Sequence, residues 1–210
     1  MNDQIKIKAA FLISISILFV CLYIAKSYYT NGCSMRLVET EGNVWISTRD
    51  NEMPAIDNMK LYDGYQITTG KDSDALILLD QTKIIKMDED SILKIQKKNQ
   101  NLELELKEGR VFFNVLKPLD ENETMNIHTS TTVTGIRGTS GSVQVISDTH
   151  TQVTILEGRV QTVVANPLTD NKIQREISEG QTADFYVDNK DNSSGTPIIA
   201  IKAAERELTK

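Results

Sequence analysis

LELELK, residues 102–107, alternates Leu102, Leu104 and Leu106 with Glu103, Glu105 and Lys107. Successive side chains of a strand point to opposite faces, so this stretch reads as a β-strand with one buried and one wet face. The same period of two runs outward in both directions. Before it come NVWIS (43–47), YQITT (65–69), ALILL (75–79), KIIKM (83–87) and SILKI (91–95). After it come RVFFNV (110–115), MNIHT (125–129), SVQVIS (142–147), QVTIL (152–156), RVQTVV (159–164) and TADFYV (182–187). Runs so short and closely spaced, with turn residues between them, predict an all-β body: an elongated β-sandwich or β-roll of about a dozen short strands. No stretch of this region sustains a 3.6-residue apolar period.

A weak repeat accompanies the strands. Glu-Gly opens EGNV (41–44), EGRV (108–111), EGRV (157–160) and EGQTA (179–183). Glycine supplies the positive φ of a tight hairpin or bulge, and the glutamates are expected to face solvent there.

VTGIRGTSGSV (133–143) sets Gly135, Gly138 and Gly141 at three-residue spacing. A phosphate cradle needs a helix after its glycines and a Lys-Ser/Thr end; here the strand SVQVIS follows and neither residue is placed. A catalytic serine elbow needs glycines two residues on either side of the serine, whereas Gly141 follows Ser140 directly. His128, Asp148 and His150 could complete a triad, but solvent-facing strand and turn positions account for them more simply. The remaining reading is a corner. The glycines let the backbone turn or approach another strand, and Arg137 is free to orient, to pair or to recognise a partner.

Composition closes several other routes. The chain has 210 residues and a net charge of −6, without the basic footprint that nucleic acid requires. Cys21 and Cys33 are the only cysteines and both lie near the N-terminus, so the body has no disulfide framework or thiolate metal site. Asp72/Asp74 and Asp88/Glu89/Asp90 lack the spacing of a calcium loop and suit acidic turns. No metal and no cofactor are expected.

The N-terminus reads as a membrane anchor. Residues 9–25, AAFLISISILFVCLYIA, carry no charge, with Lys6 and Lys8 before them and Lys26 after. As a helix they span roughly 26 Å at about 1.5 Å per residue, and snorkelling lysines close the gap to a ~30 Å hydrocarbon core. No A-x-A cleavage pattern follows, and Val20 stands where a lipidated Cys21 would want a small residue. The expected organisation is a cytoplasmic tail (1–8), a single transmembrane helix (9–26), a linker (27–35), an extracytoplasmic β domain (36–187), and a polar linker and tail (188–210).

The glycine motif, with its neighbours, resembles the FecR-type domain of bacterial envelope signalling. V-x-G-I-R-G-T is similar to that family's hallmark, and Gly135, Arg137, Gly138, Thr139 and Gly141 fall on it. EGNVWIS resembles the opening strand, and LYDGYQITTGKDSDALILL (61–79) the G-x-x-I-x-T-G block. LELKEGRVFFNV, VTILEGRVQTVV and ISEGQTADF resemble the later segments, so the likeness runs over about residues 36–187 in order. Asp80-Gln81-Thr82 departs from the family's Asp-Gly-Ser/Thr hairpin. The resemblance implies an all-β module that relays signals between membrane proteins. With eight residues before the apolar run, the cytoplasmic sigma-factor-binding region of such proteins is not expected here, and direct sigma-factor binding is not expected of this chain.

Two binding functions follow as expectations. One is a protein-interaction or signal-relay module with an envelope or membrane protein as partner. The other is an envelope scaffold that binds wall glycan through Trp45, Tyr62 and Tyr65. An enzyme would need a convergent site that the sequence does not display.

Overall fold

The computed structural model describes residues 35–165, 172–187 and 198–203. The transmembrane helix expected at 9–26 lies outside the described residues. Among those residues, no helix is long and apolar enough to cross a membrane.

Seventeen strands are described, every one of the expected runs among them. They are β1 (Arg36–Glu41), β2 (Val44–Ser47), β3 (Glu52–Pro54), β4 (Met59–Lys60), β5 (Gln66–Thr69), β6 (Asp74–Leu79), β7 (Lys83–Met87) and β8 (Ile92–Lys98). Then follow β9 (Asn101–Val115), β10 (Thr124–His128), β11 (Thr132–Ile136), β12 (Ser140–Ser147) and β13 (His150–Glu157). The last are β14 (Arg159–Ala165), β15 (Lys172–Ser178), β16 (Gln181–Tyr186) and β17 (Ile198–Ala203). The excess over a dozen comes from short or polar strands, β3, β4 and β15 above all, whose alternation is too brief or too hydrophilic to read.

The strands form two sheets. Sheet A runs β4-β1-β6-β7-β9-β12-β13-β16-β17. Sheet B runs β3-β2-β5-β8-β9-β10-β11-β14-β15. All pairings are antiparallel except β9 with β10. Strand β9 belongs to both: Asn101–Glu108 pairs with β8 and β10 in sheet B, and Gly109–Val115 with β7 and β12 in sheet A. It occupies the middle of each sheet and joins them.

The period of two in LELELK now has its physical cause. Leu102, Leu104 and Leu106 are buried between the sheets while Glu103 and Glu105 stay on the outer face. Sheet A answers with Leu37, Ile77, Ile85, Phe113, Val143, Val153 and Phe185, all at most 2% exposed. Burying each such side chain stabilises the fold by about 1.5–3 kcal/mol, before the cost of ordering the chain.

The Glu-Gly repeats are not hairpin turns. At Gly42, Gly109, Gly158 and Gly180 the chain leaves one sheet for the other, with φ of 75°, 78°, 81° and 73°. The four glutamates are exposed, as expected of residues on an outside corner. Two of the corners are braced alike. Asn43 N donates to Ser73 Oγ at 2.8 Å, and Arg110 N donates to Ser91 Oγ at 2.9 Å.

The glycine-rich stretch is another crossing. Strand β11 lies in sheet B and β12 in sheet A, with Arg137, Gly138 and Thr139 between them. Gly138 takes φ 154°, with Pro118 Cα only 3.1 Å from where a Cβ would sit. At Gly141 a Cβ would run into the Thr154 carbonyl oxygen of the neighbouring strand. Gly138 serves the turn and Gly141 the close approach.

Candidate functional site

On the outer face of sheet B, one row of residues crosses five strands in register: Glu103, Asn126, Gly135, Gln161 and Glu176. Four carry long polar side chains, and the fifth carries none. Gly135 therefore opens a notch in the row. The notch is the floor of a cleft of about 330 Å³ whose rim includes Glu123, Thr124, Arg137 and Arg159.

The walls are held by their own hydrogen bonds. Asn126 Nδ2 donates to Glu103 Oε1 at 3.0 Å, and His128 Nε2 lies 2.6 Å from the other Glu103 oxygen. Across the notch, Gln161 Nε2 donates to Glu176 Oε2 at 2.8 Å. The acidic groups at the rim are already engaged. Glu176 also faces Arg159 at 3.7 Å, and Glu123 accepts from the Asp120 amide at 3.2 Å while approaching Lys83 at 3.8 Å.

Arg137 is different. Its side chain is exposed and makes no ion pair or side-chain hydrogen bond among the described residues; only its carbonyl is used, accepting from the Leu119 amide at 2.8 Å. The Arg159 side chain is 75% exposed and, among the described residues, held only by its loose contact with Glu176. The cleft thus presents two guanidinium groups with unspent donors beside a largely apolar lining. A guanidinium offers a planar fork that matches a carboxylate, so this arrangement suits an acidic side chain of a partner.

The other sequence-predicted residues lie elsewhere. Thr139 is buried at the corner, its methyl carbon 2.7 Å from where a Gly158 Cβ would sit, and its hydroxyl has no hydrogen-bond partner among the described residues. Trp45 is 43% exposed on β2, five strands from β11 in sheet B. At about 4.8 Å per strand that is roughly 24 Å from the cleft. Tyr62 and Tyr65 meet edge to face at 5.5 Å, but no ring contact joins Trp45 to them among the described residues. Tyr65 also packs against the hydrophobic core.

His128 and His150 are separated as well, one engaged with Glu103 in sheet B and the other with Asp184 in sheet A. Neither reaches Ser140. The acidic clusters meet at a turn, where Asp72 N donates to Glu89 Oε2 at 2.8 Å, and basic side chains neutralise their flanks. Lys86 pairs with Asp74 at 3.0 Å and Arg110 with Asp88 at 2.6 Å. Among the described residues no three metal-binding groups converge.

The cleft itself could not be read from the sequence. Gly135 was visible as a glycine, but its neighbours Asn126, Gln161 and Glu176 come from three other strands, and only the register assembles them.

Comparison with known proteins agrees with the fold. The family model described as FecR protein matches residues 65–161, from the start of β5 into β14. The chain carries a FecR-like domain. That match contains Gly135, Arg137 and Arg159, and therefore most of the cleft. Two crystal structures of a candidate anti-sigma factor from Parabacteroides distasonis, at 1.65 and 2.50 Å, share the fold. Each superposes with a TM-score of 0.51 and 16% identity over 67% of this chain. The chain spans 60% of the length of those structures. No curated protein matches the sequence.

Proposed function

We propose that this FecR-like chain is a membrane-anchored, extracytoplasmic module that docks a partner protein of the cell envelope and relays a signal without catalysis. The observation that carries the docking is the cleft over Gly135, where Arg137 stands exposed and unpaired beside an exposed Arg159. Among the described residues Arg137 has no carboxylate or carbonyl partner for its guanidinium, which leaves its donors available to another protein. The uncharged run at 9–25, flanked by lysines, supports anchoring with the N-terminus inside. The packing of Tyr65 against the hydrophobic core counts against a glycan platform.

Photocrosslinking in intact cells tests this reading, with the probe at Thr124 on the cleft rim or at Trp45 as a distant control. A discrete protein adduct is expected from Thr124 and not from Trp45. Gly135→Val is the decisive variant. A Cβ there meets Asn126 Oδ1 at 3.4 Å, an ordinary contact, so the fold tolerates the side chain while the cleft fills. The adduct should fall at least tenfold in Gly135→Val and in Arg137→Ala, with the unfolding free energy of each within about 1 kcal/mol of the parent. An adduct that survives both substitutions would remove the cleft from the mechanism.

A further inference from the structure

Gly135 faces the outside of sheet B with no side chain, between Asn126 on β10 and Gln161 on β14. A position without a side chain inside a strand lets another chain come close to the backbone. The two walls of this notch are set differently. A carboxylate only accepts, so the Asn126 Nδ2 that donates to Glu103 at 3.0 Å fixes that amide and leaves its oxygen on the notch side. Asn126 Oδ1 lies 3.4 Å from where a Gly135 Cβ would sit, and it accepts no hydrogen bond among the described residues. On the opposite wall Gln161 is already engaged. Its amide donates to Glu176 at 2.8 Å and its oxygen accepts from Gln174 at 3.2 Å.

Two positions toward the corner, the register that pairs Gly135 with Gln161 brings Arg137, just past β11, beside Arg159, the first residue of β14. Both line the cleft. Like charges set opposite one another on neighbouring strands repel, and the chain does little to relieve them. Arg137 has no ion pair among the described residues, and Arg159 has the 3.7 Å contact with Glu176. The cleft therefore combines an end that wants an anion, a lone acceptor, and a largely apolar space of about 330 Å³ over Gly135.

We propose that the cleft captures the C-terminus of its partner, a chain whose last residue is apolar and whose terminal carboxylate lies on Arg137 and Arg159. This rests on the docking role of the cleft and names the chemistry of what docks. An internal aspartate or glutamate satisfies the arginines, but its side chain is used in reaching them and leaves the apolar space unfilled. The last residue of a chain carries carboxylate, side chain and amide N–H on one Cα. The carboxylate takes the guanidinium forks, the side chain fills the space over Gly135, and the amide donates to Asn126 Oδ1. A fatty acid lacks that donor. A free amino acid adds an ammonium beside two arginines.

The test locates the Thr124 photoadduct on the partner by mass spectrometry and measures peptide binding to the full chain in detergent by fluorescence anisotropy. The probes are fluorescein-labelled GSGSA peptides ending in Leu, Ile, Val, Phe or Ser, each as free acid and as carboxamide. GSGLDG carboxamide is the internal-acid control. The adduct is expected in the partner's last few residues. Saturable binding is expected of the apolar free acids, at least tenfold weaker for the carboxamides, the Ser peptide and the internal acid. Arg137→Lys, which keeps the charge and loses the fork, should weaken the free acids about tenfold and leave the carboxamides unchanged. Gly135→Val should remove the preference for Leu over Ser. An adduct in the partner's interior, carboxamides that bind as well as the acids, or no binding by any free acid would overturn the proposal and leave the cleft as a docking site. An adduct that ignores Gly135→Val, or none at all, would remove the docking reading and this proposal with it.

Discussion

Gln81 follows Asp80 in the β6–β7 hairpin, and both take left-handed conformations, with φ of 64° and 57°. The family-like hairpin would place glycine at the second of these positions, and the backbone keeps the glycine conformation without the glycine. A side chain in that region costs of order 1–2 kcal/mol, partly offset by the greater unfolded freedom of glycine. We therefore predict that Gln81→Gly stabilises the domain by about 0.5 kcal/mol, read as a higher urea midpoint at unchanged slope. Asp80 has a second task beside it. It accepts from Lys83 Nζ at 2.9 Å and Lys97 Nζ at 3.2 Å, and the Lys83 side chain is only 3% exposed. Burial pushes the Asp80 carboxyl up, but the hydrogen bond from Lys83 and the charges of Lys97 and Lys83 outweigh it and hold the carboxyl below its ordinary 3.8. A depressed carboxylate contributes stability above its unfolded value and loses it as pH falls through the folded one. Asp80→Asn should thus cost about 2 kcal/mol at pH 6, with the gap from the parent closing as pH is taken below 3.8. A gap that stays constant through that range would show the ion pairs to be incidental. Neither the pairing nor its burial was legible in DQTK, because Lys97 arrives from another strand.

Corners are the elements that give this fold its order. The Glu-Gly repeat is plain in the sequence, yet a hairpin and a sheet crossing both ask for a positive-φ glycine, and the local pattern does not separate them. What separates them is the partner of the next strand: after Gly109 the chain pairs with β7 and β12 instead of β8 and β10. The strands themselves were legible because burial on one face imposes the period of two. Strand β15 was not, because its face beyond the core edge is polar. The four corners also differ in what surrounds them. At Gly109 a Cβ would sit 2.6 Å from Ser91 Cα and 2.7 Å from the Asp90 carbonyl oxygen, whereas at Gly180 nothing lies within 4 Å. Alanine at Gly180 meets only the conformational penalty of φ 73°, about 1 kcal/mol. Alanine at Gly109 adds a collision with backbone and should cost at least about 3 kcal/mol. Chemical denaturation of Gly109→Ala and Gly180→Ala measures the difference directly. Equal losses would mean that the corner at Ser91 yields more easily than its packing implies.

At the scale of the molecule, one strand, β9, pairs in both of the nine-stranded sheets. Leu104 of β9 packs on the sheet B side of the interior and Phe113 on the sheet A side, both almost completely buried. Because the chain alternates between sheets, no contiguous segment owns one of them; sheet A alone takes strands from both the beginning and the end of the described chain. Neither sheet can therefore leave the other without breaking β9 or exposing the shared core. Such an architecture predicts one cooperative transition, and its non-local pairings predict folding in the millisecond-to-second range. Leu104→Ala and Phe113→Ala should each cost about 3–5 kcal/mol by removing a buried side chain. Hydrogen exchange followed by mass spectrometry is the discriminating measurement. In either variant, peptides from β5 and β10 in sheet B should gain exchange in step with peptides from β7 and β13 in sheet A. If Leu104→Ala loosened sheet B while sheet A kept its parent protection, the two layers would be separable units and β9 only a tether. A partner docked at the cleft of sheet B could then be sensed only locally. If both loosen together, the cleft of sheet B and the strands of sheet A belong to one cooperative body, and a partner docked at the cleft can bias sheet A through the shared core.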